Sequence, residues 1–127
     1  MKFPKPSKKT SHKKAQRDAD TAFQKYIHRI EKGQPCFTCG QHFSHLEAGH
    51  YISRGHQSTR YMVDNCHLQC IHCNHYLGGN VIVYRKKMID KYGLKRVEEL
   101  ELYSLKVTHR TVDDLINIAN YYNQKAS

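Results

Sequence analysis

The chain has 127 residues, enough for one domain with a modest core, and carries a formal net charge of +10. Such charge favours a polyanionic partner, nucleic acid first, although it also serves solubility alone. No apolar run approaches the ~18 residues of a membrane span and no secretory segment opens the chain, so the sequence predicts a soluble, cytoplasmic protein with no membrane partner.

Residues 1–17 hold Lys2, Lys5, Lys8, Lys9, Lys13, Lys14 and Arg17 and no acid. Little there can be buried, so this stretch is expected to be a disordered basic arm, with Lys8, Lys9, Lys13 and Lys14 set against a nucleic-acid backbone. From Asp18 the pattern becomes helical. Phe23, Tyr26, Ile27 and Ile30 form one stripe, acids sit in the first turn, and Gly33 is placed to cap the end.

Two Cys-x2-Cys knuckles follow, Cys36–Cys39 and Cys70–Cys73. Five cysteines in a cytosolic protein suit metal better than disulfides, and this spacing is that of a tetrahedral structural zinc site. Cys66 is left over and reads as a small buried apolar residue; a rival zinc set drawing on Cys66 or His67 breaks the symmetry of the knuckles. Between the knuckles the apolar pattern is thin. Short pieces at 46–52 and 61–63 are expected to pair as a hairpin. Metal must then organise this part: a structural zinc contributes on the order of 10–16 kcal/mol in small fingers, against roughly 5–15 kcal/mol for the stability of a whole domain.

After Gly78-Gly79, Asn80 is placed to cap a helix striped by Val81, Tyr84, Met88, Ile89 and Tyr92 and ended by Gly93. Leu94, Val97 and Leu100 predict a short third helix. Thr111 and Asp114 form a capping box for a last one, whose Val112, Leu115, Ile116, Ala119 and Tyr122 share a face suited to packing or to a homodimer contact. The chain thus divides into the arm (1–17), a zinc-bound core with flanking helices (18–93) and a helical extension (94–127).

Hydrolysing a phosphodiester needs a base for the attacking water and positive charge at the phosphate. His50, on a strand between the knuckles, is placed to be the base, since an imidazole titrates near neutrality. Asn74 offers an oxygen to a hard cation such as Mg2+ or Mn2+, which would stabilise the departing 3′-oxygen. Asn65 is placed to hold the loop between them. Arg54 and Arg60 lie where a DNA backbone would pass, and few acids are nearby in sequence to pair with them.

A histidine after a strand, then an asparagine, then Cys-x2-Cys followed by asparagine resembles the HNH (His-Me finger) nucleases, in an H-N-N form. More closely, the chain resembles the phage lambda NinG (Rap) recombination-protein family. The residues carrying this are Cys36-x2-Cys39-Gly40, 48–54 around Gly49-His50, Thr59-Arg60-Tyr61, Asn65-Cys66-His67-x-Gln69-Cys70-x2-Cys73-Asn74, and Gly79-Asn80 with Tyr84. The resemblance covers roughly residues 15–100. It implies a small α+β protein with a zinc-stapled ββα-metal core flanked by helices, and a phage or prophage source. It further implies a structure-specific endonuclease for branched DNA such as Holliday junctions or D-loops, leaving a 5′-phosphate and a 3′-hydroxyl. His50 would then be the general base, Asn65 the loop-positioning residue, Asn74 the ligand of the catalytic cation, and Cys36, Cys39, Cys70 and Cys73 the zinc ligands.

One position departs from the wider HNH pattern. Many of those enzymes carry Asp or His directly before the catalytic histidine as a second cation ligand, and here that residue is Gly49. The cation would need substrate phosphate, water, or another residue such as Asn80, Glu47 or His56. Two other readings stand beside the nuclease: a non-catalytic zinc module that binds nucleic acid, and a zinc-stabilised protein whose C-terminal helices recruit partners.

Overall fold

The structure is a computed structural model that describes residues 10–127. Its elements run α1 (His12–Ile30), β1 (Glu47–His50), α2 (Gln57–Arg60), β2 (Cys66–Gln69), α3 (Val81–Tyr92), α4 (Leu94–Tyr103) and α5 (Val112–Ala126). A 3-10 turn at Val63–Asn65 leads into β2, and a π-helical turn at His72–Tyr76 follows it. The protein is thus small and α+β, with several helices around one two-stranded sheet.

The strands pair antiparallel, Glu47 opposite Gln69 and His50 opposite Cys66. Successive strand side chains face opposite ways, so this register divides the sheet cleanly. Cys66 and Leu68 join Phe23 and Ile27 of α1 and Leu115, Ala119 and Tyr122 of α5 in one buried cluster. On the other face His67 stacks on Phe37 with ring centroids 4.1 Å apart. There Phe37 and Tyr51 pack against Tyr84, Met88, Val97 and Leu100 of α3 and α4. The expected hairpin is therefore corrected. Its second strand is 66–69, because the 61–63 segment turns through Tyr61, whose hydroxyl donates to Asp20 at 2.9 Å.

The arm also differs from expectation. Lys8 and Lys9 lie outside the described residues, but 12–17 belong to α1, which starts at His12 rather than Asp18. Ser11 caps it by accepting from the Lys14 N–H at 3.1 Å. Ala15, Ala19 and Ala22 are buried beside Phe23 and Ile27, and their small side chains let α5 lie close along α1. Lys13 and Lys14 are thus helical and exposed, and Lys14 pairs with Asp18 at 2.8 Å. Ile30, counted in the stripe, is exposed.

The last helix opens on the expected capping box: Asp114 N–H donates to Thr111 Oγ1 at 3.0 Å and Thr111 N–H to Asp114 at 2.8 Å. Of the two uses expected for the face of α5, packing or dimerisation, the structure shows packing, largely on α1. Tyr122 drives its hydroxyl 2.7 Å from the Tyr61 carbonyl, so 94–127 completes the core rather than extending from it. Asn80 does sit before α3, but in left-handed conformation (φ 52°) and without a side-chain cap. No helix among the described residues is long and apolar enough to cross a membrane.

Candidate metal centre and cleft

The two knuckles meet. The sulfurs of Cys36, Cys39, Cys70 and Cys73 all lie within 4.8 Å of one another, and Cys39 Sγ is 3.9 Å from Cys70 Sγ. A tetrahedral zinc with bonds of about 2.3 Å needs sulfurs at such separations. Donors also converge on them: Cys39 N–H reaches Cys36 Sγ at 3.5 Å, Cys73 N–H reaches Cys70 Sγ at 3.4 Å, and Asn80 Nδ2 reaches Cys73 Sγ at 3.7 Å. Burial raises the Cys36 pKa, yet the Cys39 N–H and the Thr38 hydroxyl outweigh it and bring it to about 6. Burial and the neighbouring Cys36 sulfur push Cys39 up to about 12. A divalent cation among the four removes that repulsion and lets all of them ionise. The donor set fits zinc. Cys66 stands apart, fully buried against α1, and His67 is engaged by Glu31 and by the Tyr92 hydroxyl at 2.9 Å, so neither joins the set.

Directly after Cys73, the π-helical turn carries Asn74 to the other side of the backbone. There Asn74, His50, Arg54, Glu47, His45 and His75 line an open cleft of roughly 660 Å³. His50 Nε2 lies 2.8 Å from the Arg60 carbonyl. A carbonyl only accepts, so Nε2 carries the proton and Nδ1 keeps its lone pair. Burial, together with the charges of Arg54 and Arg60, holds the His50 pKa below its ordinary value, only partly offset by the Arg60 carbonyl and by Asp20. The closest partner of Nδ1 is the Cys66 thiol at 3.9 Å, a weak donor, so the neutral imidazole keeps the basic lone pair that a general base requires.

Asn65 is fully buried, and its whole amide is spent on the loop after His50. Its Oδ1 accepts from Ile52 N–H at 2.9 Å, while Nδ2 donates to the carbonyls of Ile52 (3.0 Å) and Thr59 (3.1 Å). The Arg60 carbonyl that orients His50 follows directly on that stapled segment. Asn74 Nδ2 donates to Glu47 at 3.1 Å, and this bond with the nearby His75 holds the Glu47 carboxyl below its ordinary range.

The two arginines part company. Arg54 is half exposed, lines the cleft and makes only a loose ion pair with Asp20 at 3.6 Å. Arg60 is buried and bound through two nitrogens to Asp20, at 2.9 and 2.6 Å, with a third bond to the Arg54 carbonyl at 2.7 Å. It is therefore a strut between α1 and the loop rather than a phosphate clamp. Its partner lies forty residues upstream, beyond the reach of any local reading. Of the substitutes considered for the missing ligand at Gly49, Asn80 turns to Cys73 Sγ and His56 to the Ser104 carbonyl at 3.2 Å. Gln69, given no role from sequence, lies against Gly49; only the strand register places it there.

A two-stranded sheet beside a four-cysteine cluster that could hold zinc defines a small α+β protein. Residues 3–127 match the family model described as Bacteriophage Lambda NinG protein, and the chain belongs to that family. It is 33% identical over 112 residues to protein ninG of Escherichia phage 933W, covering 86% of this chain and 55% of that protein. Protein ninG of Escherichia phage lambda is 32% identical, with 86% and 54% covered, and that of Salmonella phage P22 gives the same figures. The chain thus spans about half the length of the curated relatives it matches. No solved structure matches it.

Proposed function

We propose that this chain is a metal-dependent endodeoxyribonuclease of the HNH, or His-Me finger, type, phage- or prophage-encoded and acting on branched DNA in the host cytoplasm. The observation that carries the reading is His50: neutral, with Nε2–H fixed by the Arg60 carbonyl and only the weak Cys66 thiol 3.9 Å from Nδ1, in one cleft with Asn74 and Arg54.

In this reading His50 Nδ1 takes the proton of the attacking water, while Arg54 draws a non-bridging phosphate oxygen into the cleft. Asn74 offers Oδ1 to a divalent cation. Bound there, Mg2+ or Mn2+ would supply Lewis-acid stabilisation of the phosphate and the leaving 3′-oxygen. Asn65 acts at one remove, holding the loop whose carbonyl aims the base. The zinc takes no part in the reaction; its cysteines keep β1, β2 and the π-helical turn in register. The branched substrate rests on the resemblance to recombination proteins and on the net charge of +10 rather than on the shape of the cleft. Paired cuts across a junction would call for two copies of the chain.

The test sets wild type against His50→Ala on linear, flap and four-way DNA with Mg2+ or Mn2+. Wild type should nick the branched substrates. The variant should lose cleavage by about 100-fold or more while keeping its zinc and its DNA affinity. If wild type cuts none of them, or His50→Ala cuts normally, the non-catalytic zinc module becomes the better reading.

A further inference from the structure

We infer that Gln69 is a cation ligand, its Oε1 forming with Asn74 Oδ1 a two-oxygen site for a hard divalent cation beside Gly49, whose lack of a side chain makes room for the Gln69 amide. The nuclease reading enters only as what the cation would be for; the site itself stands on the geometry of two amides.

The first amide is fully buried. Gln69 Nε2 donates to the Gly79 carbonyl at 2.9 Å and lies 3.1 Å from Thr38 Oγ1. Because a carbonyl can only accept, the bond to Gly79 fixes which end of the amide is nitrogen. Oε1 must then point the other way, and it finds no donor there: it is one of three buried polar side-chain atoms without a partner among the described residues. A buried carbonyl oxygen left unpaired is costly and asks for an occupant.

The second amide is fixed by the same logic. Asn74 Nδ2 donates to a carboxylate oxygen of Glu47, which also only accepts, so Asn74 Oδ1 faces away from Glu47. Both oxygens then lie beside Gly49. A Cβ built on Gly49 would stand 2.0 Å from Gln69 Oε1 and 2.9 Å from Asn74 Oδ1, which puts the two oxygens within about 5 Å of each other. Two carbonyl oxygens this close, with a carboxylate beside them, make a locus of negative potential. Neutral amide oxygens are hard donors that suit Mg2+ or Mn2+, which bind oxygen at about 2.1 Å and keep several waters for the remaining positions. Those waters would lie on the Asn74 side, in the cleft that Asn74 and Glu47 line and that Gln69 does not reach. Gly49 is needed for the arrangement: any side chain there would collide with the Gln69 amide, and the register sets Gln69 diagonally across the ladder from it. The ligand has moved from one strand to its neighbour. The competing occupant is a water molecule donating to both oxygens.

Mn2+ separates the two. The full zinc-loaded chain is titrated with Mn2+ and followed by loss of the free-ion EPR signal and by 15N NMR of side-chain amides. Preferential broadening of the Gln69 and Asn74 amide signals, with Gln57 and Asn117 little affected, is expected. Gln69→Ala should weaken Mn2+ binding by about tenfold or more at unchanged zinc content. Adding Gly49→Asp to Gln69→Ala should restore it, because the space is then open to a carboxylate. Sharp Gln69 signals in saturating Mn2+, or unchanged Mn2+ affinity in a zinc-loaded Gln69→Ala, would overturn the site in favour of water. If Gln69→Ala does not fold, the wild-type NMR result decides alone. Wild type that binds Mn2+ at Gln69 but cuts no DNA keeps the site and ends the nuclease reading. Cutting whose Mn2+ requirement is unmoved by Gln69→Ala does the reverse.

Discussion

Arg54 and Arg60 stand six positions apart and do different physical work. The Arg60 guanidinium is tied through two nitrogens to Asp20 and nearly closed to solvent, whereas Arg54 keeps about half of its side chain exposed over the cleft. Arg60→Ala strips the principal partner from a largely buried carboxylate and leaves it only Arg54 at 3.6 Å and the Tyr61 hydroxyl at 2.9 Å, so the loss should be on the order of 3 kcal/mol of stability. It should appear as a lower denaturant midpoint. Arg54→Ala should leave that midpoint within about 0.5 kcal/mol yet lower the slope of log affinity for DNA against log salt by about 1, the signature of one lost phosphate contact. An Arg60→Ala protein that kept its stability and lost salt dependence would reverse the two assignments. Lysine at position 60 should rescue poorly, since an ammonium cannot reproduce the fork on Asp20.

Between elements, the zinc knuckles and the helical layer hold different parts of the chain. Cys36, Cys70 and Cys73 form their own buried cluster, joined at its rim by Leu46, while α1 and α5 pack through side chains that need no metal. Chelation, or Cys36→Ser, should therefore abolish protection of the β1 and β2 amides in hydrogen exchange while α1 and α5 retain part of theirs. Uniform loss everywhere would mean a single cooperative unit. What was readable from sequence follows the same division. The knuckles and the Thr111 box declare themselves because their ligands and caps lie within a few residues of each other. The start of α1 was not readable: alanines at 15, 19 and 22 give a faint apolar signal, and they are buried only because α5 returns to cover them. The second strand was misplaced for a related reason. Cys66, His67 and Gln69 look polar or metal-directed, and only pairing with β1 shows them as a strand buried on both faces. Around the cleft, the positions of His50, Asn65 and Asn74 were marked out by their order and by the resemblance. Asp20 and Gln69 were not, since each acts across a distance that only the fold closes.

Taken whole, the molecule should answer to pH in two stages. His50 has its pKa depressed in the fold, by burial and then by two arginine charges. The unfolded chain thus binds a proton on this ring more readily, and the stability that neutral His50 contributes is complete above the ordinary value of 6.5 and is lost as pH falls through the lowered folded value. Glu47 and Glu101 are depressed too, first by their hydrogen bonds to Asn74 and Arg85, so their share disappears further down, below the ordinary 4.5. Denaturant midpoints measured from pH 8 to 4 with excess zinc should begin to fall just below 6.5, and His50→Gln should flatten that first stage alone. A first stage that survives His50→Gln would point to the cysteine cluster instead.

The π-helical turn has a mechanical meaning. Cys73 and Asn74 are consecutive, the one facing the sulfur cluster and the other the cleft, with a single peptide plane between them. The staple and the tool therefore share a hinge pin. A larger or smaller ion gripped by the sulfurs would swing the Asn74 amide on the other side, so that ion size at the knuckles would be felt in the cleft.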